Sequence, residues 1–499
     1  MCLGMFMAIL DIQIVATSLP AIQSGLGIAP DQMSWIQTAY LIAEVIAIPL
    51  TGLLTRIFSM RWLFVLAVAL FTCASLGCAL SADFGHLIAW RIVQGFAGGT
   101  LIPSVFSAVF LLFPARVEAF ATTTAGVLAV LAPTLGPATG GWITQTYSWH
   151  WLFLINIAPG GLAAVGAALL LPRGRTQLGL VRRIDMIGLA LLALALASLE
   201  IGLKQAPDHG WRSWQVCALL ALSGGALFAF VRHSPKRATP VVQLGVLGDR
   251  RVALGCALSF VLGFGLYGSS YLIPVFLALV RGHNALQIGQ IMLVTGCAQL
   301  ATAPLAVYLE KRVPPLTLSA FGFALFGLGL ALSAVQTTAS DFQAMLLPQI
   351  VRGCAIMFCL LPPTRLALGH LDSADVPNAS GLFNLMRNLG GAIGLALIDT
   401  VIYGRAPVLA SAIAARLKAG DVATARAVGL PIDDFLAFHD LPLDADTRAL
   451  IEPLVRKLAL TDAINEAWLM IAIITLSALV GLAWAARSRS STASPPPQA

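Results

Sequence analysis

Charge is what this sequence has least of. Only 11% of its 499 residues are Asp, Glu, Lys or Arg, while 58% are hydrophobic; a soluble domain has about 25% charged and about 45–50% apolar residues. So few charges cannot cover the surface of a water-soluble fold, so the apolar excess must face lipid. Other things are missing too. The eight cysteines (2, 73, 78, 217, 256, 297, 354 and 359) all fall in apolar stretches without a CxxC pair, which argues against a disulfide framework or a zinc site. The seven histidines lie at loops and helix ends without metal-ligand spacing. There is no GxxxxGK[ST] loop, no dinucleotide fingerprint and no soluble stretch large enough to hold a nucleotide. No nucleophile, base and orienter set stands out, so the expectation is a protein that is not an enzyme and uses no cofactor or metal. The net charge of +7 sits mostly in short loops beside apolar segments, a pattern of membrane orientation and not of nucleic-acid binding. The first apolar stretch has no basic region before it and is read as a retained helix, with either a very short tail or a start further upstream.

What is there is a series of apolar segments. A helix needs about 20 such residues to cross about 30 Å of hydrocarbon. On that ruler fourteen spans are expected, at roughly 1–22, 32–54, 61–81, 84–112, 118–143, 149–171, 184–203, 214–232, 252–280, 285–309, 314–335, 341–363, 377–403 and 465–486. All are apolar all round, without barrel-type alternation, so they are read as helices. The basic residues of alternate loops include Arg56, Arg61, Arg116, Arg173, Arg175, Arg182, Arg183, Arg232, Lys236, Arg237, Arg250, Arg251, Lys311 and Arg312. The opposite short loops carry only Lys204, Arg212 and Arg281. This bias predicts that both termini are cytoplasmic. The mixed-charge stretch 404–465 is then an outer loop, with short helical structure around Val408 to Ala419.

A weak internal repeat relates Arg91-Ile-Val-Gln-Gly95 in the fourth span to Gln349-Ile-Val-Arg-Gly353 in the twelfth. Related halves around a central cavity are a common transporter architecture, although two short apolar segments can also coincide by chance. The expected organisation is an N-terminal six-helix bundle over 1–171, a two-helix insertion with linkers over 172–251, a C-terminal six-helix bundle over 252–486 and a cytoplasmic tail over 487–499.

Charges inside spans carry the functional signal, because each costs about 2.5–3.5 kcal/mol or more at mid-membrane. They are Asp11, Glu44, Arg91, Arg352 and Arg387. A buried carboxylate whose exposure changes can take up and release protons, the property that proton coupling requires. For Asp11 the alternative is a permanent pair with an arginine; for Glu44 it is binding of a cationic substrate. Arg91 is a partner whose fixed charge holds or biases a carboxylate. Arg352 and Arg387 are read either as functional or as statically paired or helix-capping. In the fifth span Gly126, Pro133, Gly136, Pro137, Gly140 and Gly141 predict a kinked helix packed closely on its neighbours.

These residues together resemble the QacA/EmrB-type drug:proton antiporters, a fourteen-helix family of the major facilitator superfamily, over essentially the whole chain. Leu10-Asp11 through Pro20 is similar to that family's first-helix motif, Ser34-Trp35-Ile36 with Ile48-Pro49-Leu50-Thr51-Gly52 to its second helix, and Arg91-Ile-Val-Gln-Gly95 to its fourth. Gly136-Pro137-Ala-Thr-Gly140-Gly141 resembles the antiporter motif of the fifth helix, and Trp149-His150-Trp151 with Phe153-Leu-Ile-Asn156 the stretch after it. The chain departs from the superfamily's gating-loop motif, with Arg56 where an aspartate follows Gly52 and Ser59 where a second glycine is usual; Arg61 is the basic residue left to serve there. The resemblance implies a major facilitator fold of two six-helix bundles plus two central helices, in a bacterial inner membrane. It further implies alternating access, proton transfer at Arg91 and export of an organic small-molecule substrate, with a periplasmic adaptor and outer-membrane channel as partners. Beside this reading stand a dedicated exporter of one siderophore, antibiotic or fatty acid, and a transport-inactive sensor or scaffold.

Overall fold

A computed structural model describes residues 1–28, 33, 35–237, 240–432, 435 and 445–490. Ser34, and with it part of the second-helix motif, lies outside the described residues, as do 433–434 and 436–444 of the outer loop and 491–499 of the tail. The described residues form helices and no strand. They are α1 (Cys2–Leu26), α2 (Trp35–Ala79), α3 (Phe84–Leu112), α4 (Ala115–Thr146), α5 (Trp151–Leu154), α6 (Ile157–Leu170), α7 (Met186–His209), α8 (Trp214–His233), α9 (Arg250–Leu279), α10 (Ala285–Glu310), α11 (Pro315–Leu332), α12 (Phe342–Leu368), α13 (Val376–Lys418), α14 (Val422–Val428) and α15 (Ala445–Ser490). Polar residues at the loop junctions start several of them. Asp83, Asp185, Ser213 and Asp249 accept from the first free N–H groups, and Asn284 with Gln287 forms a reciprocal capping box.

Eleven of the helices are long and apolar enough to cross a membrane, or up to twelve when the bent pair within α4 counts as one. The difference from fourteen lies in α1, whose apolar part Cys2–Ala16 is shorter, and in α2, a single 45-residue helix by its hydrogen bonds. That helix is twice the length of one crossing and breaks at Ser59, where φ is 64° and ψ 160°. α4 bends by 47° between Arg116–Pro133 and Ala138–Thr146, where Gly136 and Pro137 remove side-chain bulk and a backbone donor.

The stretch 404–465, expected as a loop with short helical structure around Val408 to Ala419, is more helical than that. α13 continues through 43 residues to Lys418 and α15 begins at Ala445, so most of the described part of 404–465 is helical. Ile413, Leu417, Ala425, Val428, Val455 and Ala459 give it a small core of its own, and Arg405 pairs with both carboxylate oxygens of Glu466 at 2.7 and 2.8 Å. The i, i+4 spacing of Ile413 with Leu417 and of Val455 with Ala459 places an apolar stripe on each helix, too sparse to read as a span.

Two larger cores fill the bundles. In the N-terminal one Tyr40, Phe64, Phe71 and Phe106 pack among α1, α2, α3 and α6. In the C-terminal one Phe276, Phe323, Phe326 and Trp468 pack among α9, α11, α12 and α15. The inserted pair α7 and α8 lies at the seam, where Leu192, Leu196 and Phe230 meet Val45 and Ile48 of α2, Val252 and Cys256 of α9, and Phe383 of α13. Glycines set the close approaches between the halves. A Cβ on Gly52 would stand 2.8 Å from the Asn378 Cα, and one on Gly381 3.0 Å from the Ile48 carbonyl oxygen. Ser380 Oγ donates across the same seam to the Pro103 carbonyl at 2.9 Å.

The backbone at Ser59 occupies a region almost reserved for glycine, at a cost of order 1–3 kcal/mol. Its hydroxyl is buried without a partner, so nothing is lost by removing it. Ser59→Gly is expected to stabilise the protein by about 1 kcal/mol after the entropy of the added glycine. A thermal unfolding midpoint in detergent below that of the parent would refute the strain.

Candidate functional site

The interior of the N-terminal bundle contains a closed network of polar side chains. Asp11 comes from the middle of α1, and Arg91 and Gln94, one turn apart, from α3. Ser75 comes from the second limb of α2, and Asn156 from the junction of α5 and α6. Both side chains of the Asp11–Arg91 pair are fully buried, and Arg91 NH1 meets Asp11 Oδ2 at 2.6 Å. The other oxygen, Oδ1, accepts from Gln94 Nε2 at 3.0 Å and from Asn156 Nδ2 at 2.8 Å. Gln94 is itself held from both ends: its amide nitrogen donates to Ser75 Oγ at 2.8 Å and its oxygen accepts from Arg91 NH1 at 2.7 Å. Arg91 Nε donates to the Ile36 carbonyl at 3.1 Å, and the guanidinium lies 4.3 Å from the Tyr40 ring centroid and 5.8 Å from that of Phe153. Charge-assisted hydrogen bonds of this kind offset the desolvation of both ions. One terminal nitrogen, Arg91 NH2, keeps no partner.

Glu44 lies apart from that network. It is 3% exposed, and among the described residues no hydrogen bond or ion pair reaches it. It interacts electrostatically with Glu200 on the inserted helix α7, with Arg91 and Asp11, and with Tyr267 on α9. Glu200 is half-buried and sits one turn before Lys204, whose Nζ hydrogen-bonds Thr38 Oγ1 on α2. Two carboxylates, from the N-terminal bundle and from the insertion, thus face one region at the seam.

The remaining predicted residues are dispersed. Gly136 lets α4 close on α1, because a Cβ there would run into the Gln13 side chain, and the Gly140 carbonyl accepts from Ser18 Oγ at 3.4 Å. Gly141 and Pro137 continue the same helix. Gly52 touches Asn378, and Arg56, one turn on, faces Asp375 electrostatically at the start of α13, so the gating-loop segment spans both halves. Arg61 donates to the carbonyls of Leu171 and Ala168, capping the C-terminal end of α6 with a positive charge. Arg387 hydrogen-bonds Asn384 on its own helix and lies 5.4 Å from the Phe106 ring centroid of the other half. Arg352 donates to Thr295 on α10 at 3.1 Å and meets no acid among the described residues.

Sequence reasoning passed over Gln94, Asn156, Ser75 and Glu200. Gln94 and Asn156 lie inside the two motifs quoted for the fourth helix and the stretch after the fifth, but being uncharged they raise no desolvation signal. Glu200 falls in the last turn expected of the seventh span, where an acid reads as an ordinary interfacial residue.

Two helical bundles in contact through glycines, crossing a membrane and enclosing titratable groups, define a membrane transporter. Comparison with known proteins gives its family. The model of the Major Facilitator Superfamily matches residues 1–395. The "Colistin resistance protein EmrB" of Acinetobacter baumannii is 39% identical over 403 residues, covering 80% of this chain and 78% of that one. The "Multidrug export protein EmrB" of Escherichia coli K12 is 31% identical over 406 residues, covering 81% and 79%. The chain belongs to the major facilitator superfamily, and within it groups with the EmrB-type multidrug resistance proteins. The crystal structure of the human organic anion transporter TETRAN shares the fold, with a TM-score of 0.62 over 96% of this chain and 97% of that one at 13% identity.

The network predicts a strong coupling between its two ions. Arg91→Gln leaves a buried carboxylate without its cation and is expected to cost about 3–5 kcal/mol, whereas the double variant Asp11→Asn/Arg91→Gln recovers part of that loss. Additive losses in thermal unfolding would show that the pair is not a unit.

Proposed function

We propose that this transporter exports amphipathic organic compounds, drugs among them, in exchange for protons. The observation that carries the reading is the buried Asp11–Arg91 pair with the unpaired Glu44 close enough to interact with it. A proton arriving at Asp11 cancels the carboxylate's charge and with it the main attraction holding Arg91 in place. The guanidinium then reorients toward its remaining partners, and the helices that carry these residues shift against one another. Alternating access between the two bundles turns that local change into transport. Glu44, with Glu200 beside it, offers negative charge to a cationic substrate when deprotonated and none when protonated, so that proton and substrate compete. The names of the relatives, colistin resistance and multidrug export, support an amphipathic and drug-like substrate range. Each proton moving inward through the membrane potential contributes about 2.3 kcal/mol per 100 mV.

The same reading takes fourteen crossings, with α2 counted as two limbs and α1 as the first. The N-terminal bundle, 1–171, and the C-terminal bundle, 252–486, flank the insertion 172–251. Both termini are placed in the cytoplasm of a bacterium, below the inner membrane, which puts the projection formed by α14 and the ends of α13 and α15 on the outer side. That projection is available to a periplasmic adaptor leading to an outer-membrane channel.

Reconstituted vesicles with an imposed pH gradient test the coupling. Asp11→Asn is expected to abolish proton-driven uptake of a lipophilic dye while the protein remains inserted, and undiminished uptake rejects the assignment. For Glu44→Gln the expected change is an increase of roughly tenfold in the concentration of a cationic dye needed for half-maximal transport, equivalent to about 1.4 kcal/mol, with little change for a neutral one. Equal effects on both dyes would remove Glu44 from substrate recognition.

A further inference from the structure

The C-terminal bundle contains a buried positive charge that no acid among the described residues compensates. Arg352 on α12 is 2% exposed. Its NH2 donates to Thr295 Oγ1 at 3.1 Å and its guanidinium lies 5.5 Å from the Trp468 ring centroid, but its NH1 has no partner. Four acids of the same half are engaged elsewhere: Glu310 faces Arg365, Asp341 holds Arg281 and His283, Asp399 accepts from the Tyr271 hydroxyl, and Glu466 pairs with Arg405; among the described residues no acid pairs with Arg352. A lone ion in such surroundings costs several kcal/mol.

Two further donors beside it are buried and unpaired: the amide nitrogen of Gln349, one turn before Arg352 on α12, and the indole nitrogen of Trp468 on α15. Thr295 fixes the orientation of the amide. Its hydroxyl accepts from Arg352, so its own proton goes to Gln349 Oε1 at 3.0 Å, which turns the Gln349 NH2 away from it. Gln349 also lines an adjoining cavity of about 40 Å³ between α11 and α12, with Ser333, Gln336 and Ser340 as its other polar walls; Arg352 and Trp468 do not line it, so it gives a water-sized approach to the cluster from the Gln349 side. Its volume exceeds the ~10–15 Å³ needed for one water.

The repeat in the sequence gives this cluster a counterpart. Arg91-Ile-Val-Gln-Gly95 and Gln349-Ile-Val-Arg-Gly353 place an arginine and an amide one turn apart in each bundle, in exchanged order. In the N-terminal bundle the arginine and its amide converge on the Asp11 carboxylate. We propose that Arg352, Gln349 and Trp468 bind one small monovalent anion, chloride in the cell, which does for the C-terminal bundle what Asp11 does for the other. A water molecule accepts from at most two of the three N–H groups and leaves the charge; one monovalent anion meets all three and the charge.

The test uses the purified full-length protein and requires no transport. Thermal unfolding is followed in sodium chloride and in sodium gluconate at equal ionic strength, gluconate being too bulky to reach donors on side chains as buried as Arg352 and Trp468. The parent protein is expected to gain in midpoint with the logarithm of chloride concentration, and bromide to act in the same way. In Arg352→Gln the gain is lost, and in Trp468→Phe, which keeps the ring but not the N–H, about tenfold more chloride is needed for the same shift. Equal melting of the parent in chloride and gluconate overturns the proposal, as does a full chloride gain in Arg352→Gln. If that variant fails to insert, Trp468→Phe and the anomalous signal of bromide-soaked crystals decide: a peak within hydrogen-bonding distance of Arg352 NH1 supports the site, and peaks only elsewhere refute it. A gain with acetate but with neither halide would assign the cluster to an organic carboxylate and overturn the chloride assignment.

Discussion

An ion held in hydrocarbon must bring its counter-charge and its hydrogen-bond partners with it, and the arrangement of the N-terminal bundle follows from that requirement. Asp11 and Arg91 neutralise each other, but a carboxylate has two oxygens and a guanidinium five N–H groups, so pairing alone leaves lone pairs and donors unsatisfied. Gln94, Asn156, Ser75 and the Ile36 carbonyl take up most of these. The helices that supply them must therefore stay in fixed register around one point. The charge pair thereby sets how α1, α2, α3 and the α5–α6 junction pack, and not only what they can do.

Much of this was legible in the sequence, and the limits of legibility have physical causes. The spans are visible because lipid permits little but apolar side chains along a crossing helix, and the in-span charges because nothing else there is costly. The bend of α4 follows from glycine and proline chemistry that acts within one turn. What could not be read was convergence: Asp11, Arg91 and Asn156 lie far apart in the chain, and only tertiary packing brings them to one carboxylate. The helical projection was read only in part, as short helical structure around Val408 to Ala419, since α13 and α15 leave the apolar regime without leaving the helical one. Ser59 is the intermediate case. It stood out as a departure from a glycine-bearing pattern, and the φ of 64° gives the reason that glycine is usual there.

The inserted pair is more than a spacer between bundles. α7 contacts both α2 and α13, and its Lys204 reaches Thr38 while its Glu200 is felt by Glu44. The two halves are thus bridged by a third element that brings both a lysine and a glutamate to the seam. In the proposed alternating access, motion of one bundle against the other would slide past α7, and the apolar contacts of Leu192 and Leu196 would permit sliding more readily than directional hydrogen bonds do.

Four glycines have an effect that reaches beyond packing. Cβ atoms at Gly95 and Gly99 would collide with the carbonyl oxygens of Tyr40 and Glu44, and Cβ atoms at Gly263 and Gly390 with those of Arg387 and Phe260. The main chains of α2 and α3 therefore lie against each other beside Glu44, and those of α9 and α13 beside Arg387. Each of these charges is mounted on a two-helix plate instead of on a single flexible rod. The backbone under such a charge cannot shift by itself; under the alternating access proposed above, the tilt of a plate would carry its charge along, so that one movement would be both mechanical and electrical.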